Sequence, residues 1–126
     1  MNKGTMLLFG FDDLPSIAAM GGVADRFGVQ LRPVLRAEYN KTLGVLAGVS
    51  KAKTEPLPYA GGPLGGRMLV FCGLDARLDE LLAAVRQAGV GPDCLKAVLT
   101  EHNRNWNALA LYAELWDEHR SLSGRG

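Results

Sequence analysis

VLRAEYNKTLGVL (residues 34–46) and VLTEHNRNWNALAL (residues 98–111) align once a single residue is deleted. The alignment sets Glu38, Tyr39, Asn40 and Lys41 against Glu101, His102, Asn103 and Arg104, and Leu43 against Trp106. Working outward, Gly10-Phe11-Asp12 lines up with Gly73-Leu74-Asp75, and Phe27-Gly28-Val29 with Ala88-Gly89-Val90. Self-similarity of this kind governs the fold reading, because each copy is one supersecondary unit. An internal duplication of a β-α-β-α unit is the expectation.

The elements of each copy follow from local pattern. TMLLFGF (5–11) is a continuous apolar run closed by Asp12-Asp13-Leu14-Pro15, the signature of a buried strand running into a helix. Asp13 is placed to cap that helix and Pro15 suits its first turn. Ile17, Met20, Ala24 and Phe27 share one face, and Gly28 ends it. Gly21-Gly22 weakens the helix, and close packing on the sheet would account for both. VQLRPVLR (29–36) reads as a strand held to an edge by Pro33, and Asn40 as the cap of a short helix. In the second copy MLVFCGL (68–74) is a strand, Asp75 a cap, and Leu78, Leu81, Leu82 and Val85 the stripe of an amphipathic helix. LKAVL (95–99) is the fourth strand, Asn103 a cap, and Trp106 to His119 the last helix, with SLSGRG (121–126) a frayed tail.

These readings give an α/β fold of one domain over 1–126, its halves 5–49 and 67–120 joined by a Gly/Pro-rich segment, 50–66. Two parallel β-α-β units make a four-stranded sheet, largely parallel or mixed, covered by helices. The two most apolar strands, 5–11 and 68–74, belong at its centre. A ferredoxin-like order is the rival.

Composition narrows the function classes. Fourteen basic residues against thirteen acidic ones leave a net charge of +1, which lacks the electrostatic footprint of a nucleic-acid binder. No apolar run approaches the length of a membrane span, and acids follow the apolar N-terminal stretch where a signal peptide would need a small-residue cleavage site. The two cysteines, Cys72 and Cys94, form no CxxC and fit a reducing cytoplasm.

Candidate chemistry lies at the carboxyl ends of the strands, where open α/β sheets take ligands. Asp12, Asp75, Glu101, His102, Asn103, Asn105 and Trp106 make up that candidate rim. Several acids and amides there are also explained as helix caps. With two histidines seventeen positions apart and no HExxH or cysteine quartet, a metal site is not expected. Cys72 sits in an apolar strand, which removes it as a nucleophile partner for His102. The glycines at 61, 62, 65 and 66 precede a strand and lack the lysine and hydroxyl of a phosphate loop. Trp106 and Trp116 read as core residues, with an interface anchor as the alternative.

LVFCGLD (69–75), followed by LKAVLTEHNRNWNALALYAEL (95–115), resembles a bacterial family of domains of unknown function, numbered 3783, and EYNKTLGVLAG (38–48) is similar to a preceding half in such proteins. The resemblance implies the segmentation above and no activity, cofactor or catalytic residue. The expectation is a non-catalytic binding or regulatory module acting through a protein partner or self-association. The alternative is a small-molecule-binding domain or small enzyme using the rim.

Overall fold

A computed structural model describes residues 4–52 and 54–124, with side chains to 120. Its elements are β1 (Thr5–Phe9), α1 (Leu14–Phe27), β2 (Gln30–Pro33), α2 (Leu43–Leu46), β3 (Met68–Cys72), α3 (Leu78–Gln87), β4 (Leu95–Val98) and α4 (Ala108–Gly124). Short 3-10 turns at Arg36–Glu38 and Asp75–Arg77 complete them.

The sheet order is β2-β1-β3-β4. β1 pairs in parallel with β2 and β3 with β4, while β1 and β3 run antiparallel, Leu7 facing Val70. The sheet is therefore mixed and α/β, with the two most apolar strands at its centre, and it reads the same from either edge. Pro33 does lie on an edge strand, where its missing N–H interrupts no ladder.

Every residue of β1 and β3 is buried, because both faces of the sheet are covered. On one face Met6, Leu8, Leu69 and Phe71 pack against Met20, Val23 and Phe27 of α1 and Leu81 and Val85 of α3. On the other, Leu7, Phe9, Met68 and Val70 pack against Leu43 and Leu46 of α2, Ala108 and Leu111 of α4, and Tyr39. Each large apolar side chain so buried contributes about 1.5–3 kcal/mol.

Helix ends show where local chemistry was read well and where it was not. Asp13 caps α1, its Oδ2 accepting from the Ser16 amide at 2.9 Å, and Gly28 closes it at φ 67°. The other assigned caps are corrected. Thr42, not Asn40, caps α2, its Oγ1 accepting from the Val45 amide. Asp75 lies inside a 3-10 turn with no side-chain cap. Asn107, not Asn103, accepts from the Ala110 amide at the start of α4, which therefore begins at Ala108 rather than Trp106. α4 runs on to Gly124, so the tail is helical that far, and 125–126 lie outside the described residues. Nothing lies within 4 Å of a Cβ built on Gly22, and one on Gly21 makes only ordinary contact with Leu31, so tight packing is not why α1 carries them.

Thr42 and Asn107 also form an antiparallel bridge with each other. The helix-capping residues of the two halves thus face one another, and Asn40 and Asn105 each stand two residues before a cap. That register differs from the sequence alignment, which set Asn40 against Asn103.

Candidate functional site

Because β1 and β3 run antiparallel, the carboxyl ends of the strands fall at opposite ends of the sheet. The single rim anticipated from sequence is therefore divided. Asp12 follows β1 at one end, whereas Asp75, Glu101, His102 and Asn103 follow β3 and β4 at the other.

At Asp12's end the chain leaves β1 toward α1 on one face and leaves β2 toward α2 on the other. That divergence opens a crevice, as at the switch points of open α/β sheets. Its volume is about 700 Å³. One wall is Gly10-Phe11-Asp12 with Ile17 from the first turn of α1, and the second is Pro33 to Arg36 with Tyr39. The third comes from the end of the connecting segment, Pro63 to Gly66, together with Arg67. The last four residues of that Gly/Pro-rich segment thus form most of the wall.

The third wall is held by close backbone approach. Gly10 has φ 75°, and a Cβ there would meet the Gly66 carbonyl oxygen at 2.5 Å, so only glycine fits. Gly66 in turn packs under Tyr112 of α4, whose hydroxyl lies 2.8 Å from where a Cβ would be. Leu64 and Tyr59 lie against the core on the α2/α4 face, and the Tyr59 amide donates to the Ala37 carbonyl at 3.0 Å.

The crevice is apolar at its base and charged at its mouth. Leu8, Phe11, Ile17, Val34 and Leu64 supply carbon surface, while Asp12, Arg36 and Arg67 supply charge. Arg67 lies over the Phe11 ring, 5.2 Å from its centroid, with Asp93 at 3.5 Å. Tyr39 is buried between the rings of Phe9 and Tyr59; burial, aided by the negative charge of Asp12, raises its phenol above the usual range. Beneath the second wall Glu38 accepts from the Leu35 amide and pairs with Arg32 at 2.8 Å and Lys41 at 3.5 Å. Burial works against its ionisation, but those partners together outweigh it and hold the carboxyl below its ordinary pKa.

The remaining candidates divide by role. Asn103 is buried and works structurally: its Oδ1 accepts from the Thr100 amide at 2.8 Å and its Nδ2 donates to the Val98 carbonyl at 3.0 Å. Glu101 and Asp75 are exposed. His102 is exposed too, and meets the half-buried Trp106 edge-on at 5.2 Å. Asn105 and Trp106 line a shallow groove of about 410 Å³ with Asn107, Ala110 and Glu114. Trp116 is not a core residue: it is 47% exposed and stacks on His119.

Both cysteines are buried, which pushes the Cys72 thiol up to about 12 and the Cys94 thiol up to about 11. Among the described residues no three of His, Cys, Asp or Glu gather where they could hold a metal ion, and no helix is long and apolar enough to cross a membrane.

Arg36, Leu64, Gly66 and Arg67 were not singled out as a site from sequence. The signal was present in the glycine run directly before an apolar strand, since such a run lets backbone approach backbone.

Residues 67–122 match the sequence model of a family described as Domain of unknown function (DUF3783). The second half of this chain resembles that family. The match spans β3, α3, β4 and α4, and it stops short of the first half, whose EYNKTLGVLAG segment lies outside it. The groove beside Trp106 falls wholly within the DUF3783 segment, whereas the crevice shares only Arg67 with it. No curated protein and no solved structure matches the chain.

Proposed function

We propose that the protein is a non-catalytic binding module whose small-molecule ligand enters the crevice beyond β1 and β2. The observation that carries the reading is position: a cavity of about 700 Å³ lies where successive connections depart to opposite faces of the sheet. Such crevices take ligands because backbone amides and loop side chains converge there over an apolar base. The lining suits recognition better than catalysis. It holds one carboxylate, Asp12, and two guanidinium groups, with no histidine or cysteine among the described residues.

Duplication of an ancestral β-α-β-α unit is part of the same proposal, supported by the like order of elements in the two halves and their facing caps. A cytoplasmic setting is supported by two free, buried thiols.

The test is an amide NMR titration of labelled protein with nucleotides, inorganic phosphate and a set of aliphatic and aromatic carboxylates. Binding in the crevice shifts Gly10 to Asp12, Leu35-Arg36 and Gly65 to Arg67 together. Shifts that avoid all three walls, or no shifts at millimolar concentration, overturn the assignment.

A further inference from the structure

We infer that the groove beside Trp106 docks an extended, basic, proline-containing segment of a partner protein. This goes beyond the crevice reading and is independent of it. Two adjoining grooves of like construction flank the two caps. One is lined by Asn40, Lys41, Thr42 and Val45, with Asn105 reaching it from the second half, and the other by Asn105, Trp106, Asn107 and Ala110. These are the same positions relative to the two facing caps, Thr42 and Asn107.

The first groove already has its strap. Ser50 to Ala52 and Thr54 to Pro56 wall it. Glu55 pairs with Lys41 at 3.3 Å, and Asn40 Nδ2 donates to the Leu57 carbonyl at 3.0 Å. The strap continues as TEPLPY (54–59), which has no regular secondary structure and whose prolines favour an open backbone.

The second groove has the same fittings and no strap. Asn105 is exposed, and its amide makes no hydrogen bond among the described residues, so it is free to take a partner's carbonyl as Asn40 takes that of Leu57. Charge tells the occupants apart. Lys41 is replaced by Trp106, and the charged group on the second groove is Glu114, exposed and without an ion pair among the described residues. A lysine or arginine at the position of Glu55 would lie over the Trp106 ring with Glu114 beside it, and a neighbouring proline would pack on the indole.

The probe is a fluorescein-labelled TEPLPY peptide carrying the Glu55→Arg change, with unchanged TEPLPY as its counterpart, added to the full-length protein. Anisotropy gives affinity and amide shifts give location. The arginine peptide is expected to bind roughly fivefold or more tightly than the glutamate peptide, with shifts at 106–114, the residues that line the second groove alone. Glu114→Lys is expected to reverse that preference, and Asn105→Ala to weaken binding about two- to tenfold. Both side chains are exposed, so both variants keep a native spectrum. Equal affinity for the two peptides, indifference to Glu114→Lys, shifts confined to 40–50 or the crevice, or no binding at millimolar peptide overturns the proposal.

Discussion

Gly10 and Gly66 meet backbone to backbone, a Cβ on the first falling 2.5 Å from the carbonyl oxygen of the second. This contact fastens the third wall of the crevice to the end of β1. Gly10→Ala must therefore meet two costs, a left-handed φ of 75° and a backbone collision. A loss on the order of 1–3 kcal/mol is expected. Gly28→Ala, with φ 67° and nothing within 4 Å, carries only the first cost. Urea unfolding of both variants checks this, and the contact is refuted if Gly10→Ala is no worse than Gly28→Ala.

Gly22 sits exposed in the interior of α1 with open space where a Cβ would go. Gly22→Ala is expected to stabilise the protein by about 0.5–1 kcal/mol, since alanine has less backbone freedom to lose. A raised urea midpoint with unchanged slope is the predicted result. A lowered one would mean that the glycine serves a contact absent from this structure.

Acid should loosen the second wall through Glu38. Its folded-state pKa is depressed below the ordinary 4.5, so the unfolded chain binds the proton more readily. The stability this contributes is present above about pH 4.5 and is lost as pH falls through the folded value. Glu38→Gln should be less stable than the parent at pH 7, and the gap should narrow on acidification below 4.5. Paired urea curves at pH 7 and pH 3.5 decide it; a gap that stays constant rules out the linkage.

Asn103 and His102 are neighbours with opposite expected sensitivities. Asn103→Ala leaves the Val98 carbonyl and the Thr100 amide without their partner and should cost about 1–3 kcal/mol. His102→Ala removes an exposed ring in contact with Trp106 and should change stability by about 0.5 kcal/mol or less. Thermal denaturation of the pair measures both, and equal losses would show that the turn does not rest on Asn103.

Thiol labelling tests the burial of both cysteines. With thiols at about 12 and about 11, the thiolate fraction at pH 8 is roughly a hundredfold or more below that of an ordinary cysteine. Reaction with an aromatic disulfide reagent should be slow in the native protein and prompt for both groups in urea. Fast native labelling of either one would contradict its placement.

Much of the fold was legible because local chemistry and burial agree. The runs at 5–9 and 68–72 have no polar face, which put them at the centre, and Asp13, Pro15 and Gly28 bracket α1 by their own preferences. What could not be read was the direction in which the second half enters the sheet. A strand buried on both faces carries no alternation to set its orientation, and the connection over 50–66 is long enough for either sense. Asp12 and Asp75 were thus brought together on one rim when the sheet holds them at opposite ends. The misassigned caps have a related cause. Asn103 has the right chemistry for a helix start, but its amide is used to close a turn, and that depends on where Val98 and Thr100 lie.

The antiparallel seam between β1 and β3 also sets the order of events in folding. Within each half the paired strands lie about 25 residues apart, whereas the seam joins residues about 60 or more apart, Phe9 to Met68 and Thr5 to Cys72. Closing the longer loop costs more entropy before any contact repays it, so each β-α-β unit is expected to form before the seam. Until the seam forms the inner edges of β1 and β3 stand open, and two chains in the same condition can pair with each other instead of with themselves. The connection over 50–66 is thereby what keeps the protein's own second half the nearest competitor for its first.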